Sequence, residues 1–121
     1  MQTLPLSNPT VLEPALPIID SHHHLRDRRD SYYMFDDYVQ DVQRGHNIVA
    51  SVYVECMAMH RPDGPEVLRP IGEIEFANGV AAVSATGKYG PCRIAAAIVV
   101  STENVLSPAV LSPCVPSSKN C

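Results

Sequence analysis

Three short apolar runs punctuate the chain: Pro17-Ile18-Ile19-Asp20, the run 48–55 (Ile-Val-Ala-Ser-Val-Tyr-Val-Glu) and the run 93–100 (Arg-Ile-Ala-Ala-Ala-Ile-Val-Val). Their length and their β-branched content predict buried strands rather than helices. Between the first two, Asp36 or Asp37 can cap a helix, because a carboxylate accepts the free backbone N–H groups of a first turn. That helix is expected to run to about Arg44 and to stop at Gly45, with Tyr38 and Val42 four apart on its inner face. A second helical pattern runs from Pro70 to about Ser84, with Ile71, Ile74, Ala77 and Ala81 on one side. Pro70 suits a first turn, whereas Gly72 and Gly79 each weaken the helix by up to about 1 kcal/mol against alanine. Arg26 to Ser31 reads as a charged loop, Pro62-Asp63-Gly64-Pro65 as a turn, and Gly90-Pro91 as a break before the third strand.

The resulting order, β-α-β-α-β, predicts an α/β fold with a parallel sheet and right-handed crossovers. No internal repeat stands out beyond this alternation. The 121 residues, 45% hydrophobic and 18% charged, are those of one globular domain. Nine basic against thirteen acidic side chains, a net charge of -4, and no basic stripe argue against a nucleic-acid groove. No apolar run is long enough for a membrane span. The start lacks a basic region and is broken by Pro5, Pro9, Pro14 and Pro17, so a secretory signal is not expected and a cytoplasmic location is. Cys56, Cys92, Cys114 and Cys121 form no CxxC pair and are expected to be reduced thiols. Residues 1–16 read as an irregular leader, 17–100 as the folded part, and 101–121 as an irregular Ser/Pro-rich tail.

The sharpest chemical signal is Asp20-Ser21-His22-His23-His24. On a strand, His22 and His24 leave one face while His23 leaves the other. Two imidazoles at that spacing, at the carboxyl end of a strand, can share one divalent metal, zinc or a similar ion. The plainer reading is three polar residues leaving a strand for a solvated loop. Glu55 ends the second strand at the same sheet edge, where ligands of α/β proteins bind, and is the candidate catalytic carboxylate. Ser51, Tyr53 and Glu55 share one face of that strand, which would suit the inside of a barrel mouth. Arg26, with Arg28 and Arg29, could hold a substrate carboxylate by paired hydrogen bonds, although Asp20, Asp27 and Asp30 could neutralise the cluster instead. Cys56 reads as a small buried residue rather than a nucleophile. His46 is expected at the amino edge of the sheet, and His60 in the loop after the second strand. No GxSxG elbow, phosphate loop or GxGxxG is present.

The string IIDSHHHLRD resembles the opening strand of the amidohydrolase-related family, the amidohydrolase-2 group of metal-dependent hydrolases. The stretches DDYVQDV, NIVASVYVEC, RPIGEIEFANGVAA and YGPCRIAAAIV look like the same family, in its order, over about residues 17 to 100. The resemblance implies a (β/α)8 barrel, of which this chain would hold the first three βα units, with the site at the carboxyl ends of the strands. It assigns His22 and His24 to a metal that lowers the pKa of bound water and polarises a carbonyl, so that a lactone, amide or related bond is hydrolysed. Relatives include lactonases and decarboxylases, and some lactonase relatives work without a tightly held metal. Similar sequences commonly carry tryptophan where Arg26 stands. A barrel takes about 250 residues, and the family's later histidines and its last-strand aspartate have no counterpart in 101–121. This chain is therefore expected to be an incomplete hydrolase, inactive alone. The alternative is a non-catalytic α/β module that binds a partner or self-associates through open sheet edges.

Overall fold

A computed structural model describes residues 10–101. The expectations for 1–9 and for the tail after Ser101 lie outside these residues. Three parallel strands, β1 (Pro17–His23), β4 (Asn47–Val54) and β5 (Arg93–Val99), form the sheet in that spatial order. Two helices, α1 (Phe35–Val42) and α2 (Ile71–Ala85), carry the crossovers. The β-α-β-α-β order and parallel sheet are as the alternation of patterns predicts.

The segment after β1 corrects one expectation. Arg26 to Ser31 is not a loop: β2 (Arg26–Arg28) and β3 (Ser31–Tyr33) pair antiparallel around Arg29 and Asp30. Period-two alternation therefore sorts the charges, placing Arg26 and Arg28 with Tyr33 and Ser31 on one face and Asp27 with Tyr32 on the other. Helix α1 also starts differently. Met34 is its cap residue, and Asp37 at the third helical position accepts the Met34 N–H at 2.8 Å. The helix ends at Val42, before the expected Arg44, and Gly45 follows with φ +120°.

Core packing lies between the sheet and both helices, around Leu25, Tyr38, Tyr53, Ala77, Val80, Cys92 and Ile94. The buried stripe of α2 is Glu73, Ala77, Val80 and Ser84, rather than the Ile71, Ile74, Ala77 and Ala81 side read from hydrophobicity. Two polar residues sit in that stripe because each accepts hydrogen bonds there. Ser84 Oγ donates to the Cys92 carbonyl and accepts the Ile94 N–H, both at 2.9 Å, which ties the end of α2 to the start of β5. Gly72 is required where α2 begins: a Cβ there would stand 2.4 Å from the Met59 carbonyl oxygen.

Ser51 and Tyr53 also face this packed side and not a solvated mouth, against expectation. The Ser51 hydroxyl accepts the Ala95 N–H at 3.0 Å, where β5 bulges with Ala95 in the left-handed region (φ 54°). The opposite face, carrying Ile19, Ala50, Val52, Val54, Ala97 and Val99 by register, has no layer over it among the described residues. Ile19 is 62% and Val99 51% exposed.

Candidate functional site

Strand β1 ends at His23, with His24 the next residue, and an irregularity between Asp20 and His23 sets those two residues opposite Ser51 and Tyr53 of β4. His23 turns into the core, 6% exposed, stacked on the Tyr38 ring at 4.1 Å between centroids. Its Nε2 lies 3.0 Å from Ser51 Oγ, and its Nδ1 has no partner. Burial pushes this imidazole down to about 4, with the neighbouring histidines adding to the effect and Asp20 opposing it. His23 is thus a neutral packing group at neutral pH.

His22 and His24 leave the other side and meet edge to face, their Nε2 atoms 3.2 Å apart. His24 Nδ1 lies 2.7 Å from the Val54 carbonyl oxygen at the end of β4. That carbonyl can only accept, so Nδ1 carries the proton and Nε2 presents a bare lone pair. Adjacent nitrogens around a tetrahedral zinc stand about 3.3 Å apart, so the spacing fits two ligands of one small cation. Without a cation, His22 Nε2–H donates to the same lone pair. Among the described residues no three His, Cys, Asp or Glu side chains converge on one metal position, so this chain offers a pair and not a closed site.

The two histidines line a cavity of about 440 Å³ with Asp20, His23, Arg26, Ser31, Tyr33 and Tyr38. The β2–β3 hairpin supplies the last strand-borne wall. Asp20 Oδ2 accepts the Tyr38 hydroxyl at 2.8 Å and Oδ1 the His22 N–H at 3.2 Å, which fixes the start of the histidine run. Tyr33 donates its hydroxyl to Asp41 of α1, anchoring the hairpin to the helix. Arg28 is drawn off to the Cys56 carbonyl. Glu55 lies at the same carboxyl edge, half-buried, with its N–H donated to the Val99 carbonyl at 3.0 Å. Its side chain is not part of the cavity wall.

A second polar cluster, absent from the sequence reading, lies beside this edge. The Glu73 carboxylate, 2% exposed, accepts the Tyr53 hydroxyl at 2.8 Å and the Cys56 N–H at 2.7 Å through Oε1. His60 Nε2 approaches Oε2 at 3.7 Å. Burial, and then the Glu73 hydrogen bond, raise the Tyr53 phenol; burial and the Glu73 charge raise the Cys56 thiol. Cys56, whose Sγ donates to the Leu25 carbonyl, is a packing thiol, because burial and the Glu73 charge hold it in the protonated form. Met57 and Met59 follow it with φ of 64° and 53°, so this loop is held in a strained path by Glu73 and by the Arg61 N–H to the Arg69 carbonyl. Of the two acids in this small-residue helix, Glu73 is the one that shares a stripe with Ala77, Val80 and Ser84, and that register was the signal for this cluster. His46 lies at the amino edge, lining a separate apolar cavity with Val11, Leu16 and Ile18. No described helix is long and apolar enough to cross a membrane. Compared with family models, characterised protein sequences and solved structures, the chain finds no match.

Proposed function

We propose that the chain is the amino-terminal portion of an amidohydrolase-type hydrolase. Its sheet supplies the first three strands of a (β/α)8 barrel, and its site acts on a small molecule with a hydrolysable lactone, amide or related carbonyl bond. The observation that carries this reading is the His22–His24 pair, its lone pair aimed by Val54, at the carboxyl edge of a parallel sheet. Three further features support it. The strands advance in one direction, β1-β4-β5, and both helices pack on one face, as barrel strands and helices do. The open face carries the branched apolar residues that fill a barrel interior. The histidine pair leaves from that same inner side.

In this reading His22 and His24 hold a divalent ion, zinc or similar. Such an ion supplies Lewis acidity and a readily ionised water. The chain's own residues do the rest. Val54 fixes the His24 tautomer, Asp20 and Tyr38 set the position of the run, Arg26 binds substrate, and Glu55 stands at the same edge, outside that cavity wall, as the proposed proton acceptor. Two ligands are too few for turnover, so the described residues would bind the ion without completing the site. A cytoplasmic location belongs to the same reading, supported by Cys56 and Cys92 forming no disulfide among the described residues.

The test is the endogenous protein, captured with an antibody against residues 17–100 and assayed on lactone and amide substrates. A chelator should abolish hydrolysis and an added divalent metal restore it. Hydrolysis indifferent to the chelator, or none with any metal, contradicts the proposal.

The exposed apolar face and the edges of β1 and β5, which no strand of the described residues pairs, favour a second reading, a module that self-associates. It requires a concentration-dependent dimer in sedimentation of the 121-residue chain, and a strict monomer removes it.

A further inference from the structure

The hairpin that replaces the expected loop changes what its arginines can do. In a loop, the run Arg-Asp-Arg-Arg-Asp neutralises itself. In the hairpin, Asp27 lies on the face opposite Arg26, and Asp30 lies in the turn. Arg28 is committed to the Cys56 carbonyl. Asp20, the one carboxylate in the cavity wall, already accepts a hydrogen bond on each oxygen. Arg26 is left half-buried in the wall with no ion pair and no side-chain hydrogen bond among the described residues.

We infer that Arg26, with Ser31 further along the same hairpin face and in the same cavity wall, forms an anion subsite that selects small molecules bearing a carboxylate. A guanidinium is always charged and presents parallel N–H donors that match the two oxygens of a carboxylate. The guanidinium nitrogens of Arg26 reach solvent and no carboxylate among the described residues occupies them, so an anion in the cavity replaces water on charged donors. Tyr33 and Tyr38 give the same cavity aromatic walls, and its volume of about 440 Å³ is that of a small-molecule site. The subsite deepens the hydrolase reading by naming the substrate class: the scissile bond lies at the His22–His24 end, and the carboxylate at the hairpin end.

The experiment measures binding of benzoate and of its neutral isostere benzamide to the full chain, in metal-free buffer, by ligand-observed NMR and calorimetry. Benzoate should bind saturably and about 10- to 100-fold more tightly than benzamide, the range expected for a charge-assisted pair. Arg26→Gln should reduce benzoate to the level of benzamide. Arg26→Lys, which keeps the charge but loses the fork, should fall between. Arg29→Gln removes the same charge from the turn, outside the cavity wall, and should leave benzoate binding as it is. Equal loss in Arg26→Gln and Arg29→Gln, or no preference for benzoate over benzamide, overturns the subsite. Because no metal is present, benzoate binding that persists in a His22→Ala/His24→Ala variant keeps the subsite even if the hydrolase reading fails.

Discussion

Replacing Glu73 is the most informative perturbation of the fold around the site. Its Oε1 accepts from two donors, the Tyr53 hydroxyl of β4 and the Cys56 N–H of the following loop, and the side chain is almost wholly enclosed. Glu73→Ala removes the acceptor of both donors, the Tyr53 hydroxyl in the buried core and the part-buried Cys56 N–H. Each such donor costs about 1–3 kcal/mol, so the loss is about 2–6 kcal/mol. Against a typical stability of about 5–15 kcal/mol, this is a large share. Glu73→Gln keeps an acceptor oxygen in place and removes a buried charge, so its cost is about 1–2 kcal/mol. Equilibrium urea unfolding followed by circular dichroism measures both. With a slope of about 1 kcal/mol per molar urea for a chain of this size, Glu73→Ala should lower the midpoint by at least about 2 M. Tyr53→Phe and the double variant complete a cycle, in which the second loss should be smaller than the sum. Equal midpoints for Glu73→Ala and Glu73→Gln would falsify the claim that the carboxylate clamps the loop through its acceptor.

Two glycines of α2 should respond with opposite signs. Gly72→Ala drives a methyl against the Met59 oxygen and to within 2.7 Å of the Arg61 nitrogen, both backbone atoms, and should cost about 1–3 kcal/mol. Gly79→Ala meets nothing within 4 Å and should stabilise by up to about 1 kcal/mol; thermal melts of the two variants decide. His23 makes stability depend on pH. Its imidazole is held down to about 4 in the fold, against 6.5 when free, so the unfolded chain takes up the proton first. The contribution is complete above about pH 6.5, is lost as pH falls toward about 4, and amounts to about 3 kcal/mol at most. Asp20, His22 and His24 face the same ring, so the assignment is made by NMR: a His23 ring titrating near 6.5 contradicts it, and His23→Gln should flatten the stability profile over this window.

Much of the backbone was legible because burial and period agree there. The β-branched runs became β1, β4 and β5, and Gly45 and Gly90-Pro91 stop and break the chain where their conformational freedom suggests. The failures share one cause, polar groups whose partners lie far along the chain. Glu73 and Ser84 look like the solvent side of α2 until Tyr53, Cys92 and Ile94 are seen to satisfy them. Ser51 and Tyr53 looked like a wet face for the same reason. The hairpin was hidden because Arg29-Asp30 lacks the glycine or asparagine that marks a tight turn, although the Arg-Asp-Arg alternation already carried period two. At the site, His22 and His24 were legible from spacing alone. The group that orients His24 was not, since a backbone carbonyl at Val54 leaves no trace in the side-chain pattern.

Whether His22 and His24 act together on one cation is the claim on which the account rests. Their ring nitrogens can be followed separately by long-range ¹H–¹⁵N NMR of the 121-residue chain during titration with zinc. The account requires the Nε2 signals of both rings to shift together and saturate at one zinc per chain, with His24 Nδ1 keeping its proton on the Val54 carbonyl. Independent titration of the two rings, no saturable change, or an unaltered response in the His22→Ala variant would contradict it.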